Sequence, residues 1–167
     1  ETNIFSCKPL MVGTSMAERM SVCNYSYEPS FAPEGHTVLQ TMFTQNEDDY
    51  EYWMELAKDK EAYQQKKEEL SKEITDRLIE RFPQLTGKVK VIDVWTPVTY
   101  HRYCNSFHGA YMGFIVTKNA KNKTVAGKMK GLSNVFIASQ WLMGPGGLPT
   151  AASMGKFAAQ RIVDAKR

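Results

Sequence analysis

The spacing of apolar and polar positions changes twice along the chain. Residues 20–28 and 36–44 are rich in β-branched and aromatic side chains and predict two strands. Between them Pro29-Ser-Phe-Ala-Pro-Glu-Gly35 carries turn residues, so the pair predicts an antiparallel hairpin. From residue 47 the period becomes helical. Tyr63, Leu70, Ile74, Leu78 and Phe82 form one apolar stripe, and Pro83 stops the run. A break near Lys58-Asp59 divides this stretch into two helices. Residues 88–95 (Lys-Val-Lys-Val-Ile-Asp-Val-Trp) alternate and predict a strand. A short helix or turn is expected near 97–103, followed by an irregular, glycine-rich stretch to residue 117. Residues 134–139 predict a short buried strand. The last helix is expected over 149–165, with Ala151, Met154, Ala158, Ile162 and Ala165 on or near one face. No internal repeat is visible. The pattern as a whole predicts an α+β fold, an antiparallel sheet with packed helices.

Local chemistry supports the long helical region. Glu47, Asp48 and Asp49 occupy its first turn, where the helix dipole favours negative charge. Glu68 with Lys72 and Glu73 with Arg77 are spaced as ion pairs four apart. The heptads are too few and too irregular for a coiled coil.

Composition narrows the class. The 167 residues are 43% hydrophobic and 23% charged, enough for a folded core. No apolar run approaches the roughly 18 residues of a membrane-spanning helix. Glu1 is not a natural start and no signal peptide is visible, so a piece of a longer protein is expected. Cys7, Cys23 and Cys104 have no metal-ligand spacing and fit a reducing compartment. Asn24-Tyr-Ser and Asn122-Lys-Thr match the glycosylation pattern by chance frequency alone. The net charge of +3 is uneven: residues 47–82 carry −5 and residues 88–167 carry +10. That positive half suits a pyrophosphate-bearing ligand, or Lys118, Lys121, Lys123, Lys128 and Lys130 share one solvated loop.

The most informative stretch begins at Gly131. An apolar strand runs into a turn with Gly146 and Gly147, and Pro149 stands where a helix begins. Glycines ahead of a helix N-terminus let the backbone approach a ligand closely. The free N–H groups there attract anionic or electron-rich atoms. Upstream lie Thr96-Pro97-Val98-Thr99 with Arg102-Tyr103, then Gly109-Ala110-Tyr111-Met112-Gly113, then a Gly-Leu-x-Asn-Val-aliphatic strand over Gly131 to Ile137.

Together these motifs resemble the C-terminal segment of the phytoene desaturase, carotenoid isomerase and retinol saturase branch of FAD-dependent oxidoreductases, within the flavin-containing amine oxidase superfamily. The resemblance spans roughly residues 88–167. It implies that residues 1–115 belong to a substrate-binding domain and that 116–167 supply the last strand and helix of the FAD-binding domain. It implies flavin contact by Ser139, Gln140, Gly146, Gly147, Leu148, Pro149 and Thr150. It implies an apolar polyene or isoprenoid-like substrate, lined by Tyr103, Tyr111, Met112 and Trp141, with Phe114 beside them. The partner is then that small molecule rather than nucleic acid, in a cytoplasmic protein with peripheral membrane contact for substrate access.

Two differences stand out. The family usually follows its strand with Ala-Gly and then Glu, Asp or Gln, where this chain has Ala138-Ser139-Gln140. The strand–Gly-x-Gly-x-x-Gly–helix unit of a dinucleotide fold is missing from these residues. The chain therefore holds one wall of a flavin site, and is expected to be inactive alone. No Ser/His/Asp set or paired-carboxylate site stands out. Of the three histidines, His101 and His108 lie in the stretch expected near the flavin. The alternative from another class is a non-catalytic module that docks a partner through helices 47–82.

Overall fold

A computed structural model describes residues 1–113, 118 and 125–165. The chain divides into two compact units, Glu1–Gly109 and Ala110–Arg167. The 115/116 boundary expected from sequence lies outside the described residues, as do Phe114, Lys121, Asn122 and Lys123.

The first unit is α+β. Strands β1 (Thr2–Val12), β2 (Ser15–Asn24) and β3 (Leu39–Thr41) form an antiparallel sheet in that order. The expected 20–28/36–44 hairpin shrinks to three pairs, Val22 with Thr41, Cys23 with Gln40 and Asn24 with Leu39. The larger hairpin joins β1 to β2 through Gly13-Thr14, and its sequence signal is weak. Pro9 sits inside β1, and the register shifts between Ser6 and Leu10. A proline cannot donate to the ladder, so it breaks the strand pattern where a bulge accommodates it.

Helices α1 (Glu47–Leu56) and α2 (Lys60–Arg81) confirm the break at Lys58-Asp59. Asp59 caps α2 by accepting from the N–H groups of Glu61 and Ala62 at 3.0 and 3.1 Å. The apolar stripe of α2 faces inward. Leu70 joins Leu10, Val12 and Trp53 in one buried cluster, and Leu78 joins Met20 and Val22 in another. Ile74 packs against both. The expected pairs on the outer face are not those formed. Lys72 reaches Asp76 at 2.7 Å instead of Glu68. Arg77 donates to the Lys8 and Pro9 carbonyls, 3.3 and 3.4 Å away, rather than pairing with Glu73. Those carbonyls lie in the bulged part of β1, which gives Arg77 a backbone partner.

The α1 N-terminus is fixed by a buried carboxylate. Asp49 is fully buried and accepts from Thr14 N–H (2.7 Å), the Thr14 hydroxyl (2.8 Å), Ser15 N–H (3.0 Å), the Ser15 hydroxyl (2.7 Å) and Asn46 N–H (2.8 Å). Asn46 returns the bond to Asp49 N–H at 3.1 Å, closing a capping box. A Cβ on Gly13 would stand 2.7 Å from Asp49 Oδ1, and Gly13 has φ +71°.

Residues 88–95 form no strand; they run as irregular chain from the turn at Pro83–Leu85 to α3 (Pro97–Cys104). Their alternation is real, but no neighbouring strand pairs with them among the described residues. In the second unit residues 134–139 likewise fall short of a strand. They make one bridge, Lys128 with Phe136, flanked by Met129 N–H to the Val135 carbonyl (3.4 Å) and Ile137 N–H to the Gly127 carbonyl (2.9 Å). Helix α4 (Leu148–Asp164) matches the expected last helix. Its buried face is Thr150, Met154 and Ala158, whereas Ala151, Ile162 and Ala165 are exposed. Ala151 lies a step around the helix from the 150–154–158 row, Ile162 continues that row one turn past its last buried member, and Ala165 is the C-cap. No described helix is long and apolar enough to cross a membrane.

Ile74→Ala removes a side chain shared by two clusters and is expected to cost about 2–4 kcal/mol, lowering the melting temperature by about 10 °C. Glu69→Ala, half-exposed on the polar face beside Gln65 and Lys66, is expected to shift stability by under about 0.5 kcal/mol. Thermal melts of both variants check the inward packing of α2.

Asp49 gives the unit a pH dependence. Burial alone would push its carboxyl up, but the bonds from Asn46, Ser15 and Thr14 outweigh burial and hold it below the usual range. Its stabilisation is therefore complete above about pH 3.9 and is lost as pH falls through the depressed folded value. Asp49→Asn should lose about 2–4 kcal/mol near neutral pH and flatten the acid limb of a denaturation series below about pH 4.

Candidate functional site

The glycine turn of the second unit is built by its own side chains. Ser139 is extended (φ −159°, ψ 146°), and its hydroxyl accepts from Trp141 N–H at 3.2 Å, capping a short 3₁₀ turn over Gln140–Leu142. Gln140 then faces the turn, and its Oε1 accepts from Gly147 N–H at 2.7 Å. Gly113 N–H donates to the Pro145 carbonyl at 2.7 Å. This brings the Gly109–Gly113 motif's last residue against the Gly146-Gly147 motif. The Gly144–Pro145 peptide is cis.

The two central glycines have different reasons to be glycine. Gly146 has φ +89° and is buried, and a Cβ there would stand 2.7 Å from Gly113 N. Gly147 has φ +87°, but no atom of the described residues lies closer than 3.9 Å to its Cβ position. The space beside Gly146 is filled by the chain itself, while the space beside Gly147 is open. Gly147 is the N-cap of α4, and no side chain caps that end. Pro149 has no N–H, and the Leu148 and Thr150 N–H groups have no partner among the described residues. The helix end therefore presents two free donors and the positive end of its dipole. Leu148 is 87% exposed at this end, Pro149 is exposed and Thr150 is buried. These residues fit the electron-rich edge of a flavin: two donors, a dipole and a glycine that leaves room.

The structure thus brings Gln140, Gly146, Gly147, Leu148, Pro149 and Thr150 to one turn. Ser139 and Gln140 spend their polar atoms on the turn's own backbone. Tyr111 is exposed, Met112 and Trp141 are half-buried in the same unit, and Met112 Cε is 3.9 Å from the Gly147 Cβ position. Tyr103 belongs to the first unit, where it is 76% exposed on α3 and lies under the Arg102 guanidinium at 4.7 Å.

The first unit holds a second constellation, from the Thr96–Thr99 and Arg102-Tyr103 stretch onward. Thr96 is buried, shares a 2.7 Å hydrogen bond with the Tyr63 hydroxyl, and donates its N–H to Thr99 Oγ1 at 3.2 Å. After α3 the backbone turns through left-handed conformations at Asn105 (φ 47°) and His108 (φ 46°), uncommon for non-glycine residues. Gly109 follows, and a Cβ there would collide with the Pro97 carbonyl. His108 Nδ1 lies 2.9 Å from Glu47 Oε1, and its ring stacks on Tyr50 at 4.9 Å. His101 Nδ1 lies 3.2 Å from the Ser106 carbonyl, and its ring stands 6.0 Å from Tyr50. Both Nδ1 partners only accept, which places a proton on each Nδ1. Glu47 was legible only as a first-turn acid; its pairing with His108 carries no sequence signal, because 61 residues separate the two.

Half of the chain resembles a prolycopene isomerase. Prolycopene isomerase 1 and prolycopene isomerase 2, both chloroplastic proteins of an Oncidium hybrid cultivar, are each 35% identical to it over 85 residues. That stretch is 50% of this chain and 14% of each relative, so the chain spans a small part of the relatives' length. The similarity agrees in kind with the motifs' resemblance to carotenoid isomerases. No family model matches the chain, and no solved structure matches it.

Gln140→Ala removes the acceptor of the Gly147 N–H and is expected to speed exchange of that amide about tenfold, the equivalent of one hydrogen bond of about 1.4 kcal/mol. Gln140→Glu keeps an acceptor and should preserve the slow exchange. Amide exchange at Gly147, read by NMR, separates the two.

Proposed function

We propose that residues 1–167 form the C-terminal part of an FAD-dependent oxidoreductase acting on carbon–carbon bonds of an apolar polyene or isoprenoid-like substrate. The observation that carries this reading is the uncapped N-terminus of α4 behind the Gly146-Gly147 turn, in a chain of which half is similar to prolycopene isomerases. FAD, when bound, would supply hydride transfer to or from the substrate.

In this reading the chain's own residues bind and tune. The Leu148 and Thr150 N–H groups receive the electron-rich edge of the flavin, and the dipole of α4 favours negative charge there. Gly147 admits the ring because it has no side chain, and Gln140 holds the Gly147 peptide in place. Leu148, Met112, Tyr111 and Trp141 offer apolar surface to the cofactor or the substrate. Contacts to pyrophosphate and adenosine lie on polypeptide outside these residues. The protein works in a reducing, cytoplasm-like compartment, with peripheral contact to a membrane that stores the apolar substrate.

Gly147→Val in the longest natural polypeptide carrying this chain tests the assignment. A β-branched side chain at φ +87° fills the open space and strains the turn. Flavin affinity is expected to fall at least about tenfold, or 1.4 kcal/mol, with Gly147→Ala intermediate. Flavin absorbance per protein and the melting temperature of the apoprotein are the measurements. Normal flavin content and turnover in Gly147→Val would reduce the turn to a structural link.

A further inference from the structure

The sheet of the first unit has one covered face and one bare face. Met20 and Val22 of β2 are buried against Leu78 of α2. Side chains alternate along a strand, so Arg19 and Ser21 point to the opposite face. Ile4 lies across from Ser21 on that face and is 63% exposed. Met16 pairs with Met11, and both are exposed. Met42, just past β3, is 47% exposed. Exposed apolar side chains gathered on one face mark a surface with a use.

The shortness of β3 turns this surface into a groove. β3 pairs with β2 only over Val22–Asn24, so residues 16–21 of β2 have no strand on that side among the described residues. Residues 42–44 leave the ladder there, and a groove of about 370 Å³ is lined by them and by β2. Ile4, Met16 and Met42 give it apolar walls. Arg19 is the one charged side chain among the described residues that line it, with the Ser21 and Thr44 hydroxyls as polar company. Arg19 makes no ion pair and no ring contact among the described residues.

Shape and charge select the occupant. The register shift between Ser6 and Leu10 twists this part of the sheet, and a bulged edge resists the addition of another strand. The volume falls instead in the range of small-ligand pockets, about 300–1,000 Å³. Methionine is unbranched and adaptable, so walls of Met16 and Met42 mould to an unbranched apolar chain. A guanidinium grips a carboxylate through two parallel N–H donors. One cation balances one negative charge, which favours a carboxylate over a doubly charged phosphate head. The Ser21 and Thr44 hydroxyls supply further donors.

We propose that this groove binds the anion of a straight-chain carboxylic acid, its carboxylate on Arg19 and its chain over Ile4, Met16 and Met42. The site lies within the first unit and needs no flavin. Calorimetric titration of laurate into the 167-residue chain, below the concentration at which laurate forms micelles, tests the inference. One laurate per chain is expected, with dodecanol, the same chain without the charge, binding at least about tenfold more weakly, or 1.4 kcal/mol. Arg19→Gln should bring laurate to the level of dodecanol and leave dodecanol binding as it was. Its melting temperature should not change, since the side chain is exposed. Methyl NMR locates the ligand: laurate is expected to shift the Met16 and Met42 methyl signals and to leave that of Met154, buried in the second unit, in place. Absent laurate binding, equal binding of laurate and dodecanol, unchanged laurate affinity in Arg19→Gln, or unmoved Met16 and Met42 signals each overturn the proposal. Tighter binding of dodecyl phosphate than of laurate overturns the carboxylate assignment. A dimer in light scattering that excludes laurate gives the face to a second copy and overturns the proposal as well.

Discussion

The first unit depends on one carboxylate. Asp49 sits where three parts of the chain meet: the Gly13-Thr14 turn of the large hairpin, the Asn46 cap and the first turn of α1. The turn and the cap bring N–H groups and hydroxyls that would be unsatisfied in a dry interior, and one ionised side chain on the first turn of α1 answers them. Apolar burial is non-directional and would tolerate α1 at several angles to the sheet. The bonds to Asp49 select one. With that end of α1 fixed, Trp53 fills the cluster one turn further on, and its Nε1 donates to Gln45 at 2.7 Å. Glu47, two residues before Asp49, then stands where it can meet His108. A structural bond thus sets the position of a group with chemical potential, through a helix turn that cannot shift without leaving Asp49.

The second unit solves a different problem. A glycine turn with two positive φ angles is floppy in isolation, because glycine loses more freedom on folding than any other residue. Gln140 and the Gly113–Pro145 bond remove that freedom, one from the side chain and one from the backbone. The result is an open helix end on a rigid support, which a ligand-binding turn needs. Ser139 takes part in the same economy. It stands where the resembling family has glycine, and its hydroxyl stabilises the 3₁₀ turn that aims Gln140. The side chain is therefore accommodated by the turn rather than projecting across it.

What was legible in the sequence was local. The helical stripe of Tyr63, Leu70, Ile74, Leu78 and Phe82, the break at Lys58-Asp59, the short helix at Pro97 and the Gly-Gly-Leu-Pro entry to α4 are each set by neighbours within a few residues. The glycine motif was legible for the same reason, since positive φ and a missing Cβ are properties of single positions. What was not legible was pairing across distance. The β1–β2 hairpin was hidden by Pro9 and by a turn without a strong signature. Asp49 was read as one acid in a helix turn, and nothing local in its sequence marks its bonds to Thr14 and Ser15, 35 and 34 residues away. The Glu47–His108 and Tyr63–Thr96 contacts failed to show for the same reason.

The two strand expectations that failed did so in a common way. Residues 88–95 and 134–139 both have sequences suited to a sheet, and among the described residues little or nothing pairs with them. Strand propensity measures fit to a half-buried, pleated surface more than a preference of the isolated backbone. A segment with that composition and without a ladder is therefore a mismatch between local and tertiary choice, and natural sequences keep such mismatches few. Side chains near Val89 and Thr96 are already packed, so the first segment is not simply misfolded; only its middle, Val91 to Trp95, lacks cover. In the second, the Gly127–Met129 stretch answers three residues and leaves the others unpaired. Gly127 is itself constrained, since a Cβ there would collide with the Arg161 guanidinium of α4. The pairing that exists is thus anchored to the helix behind it, and what is incomplete is the sheet direction, the dimension in which a strand depends on polypeptide far away in sequence.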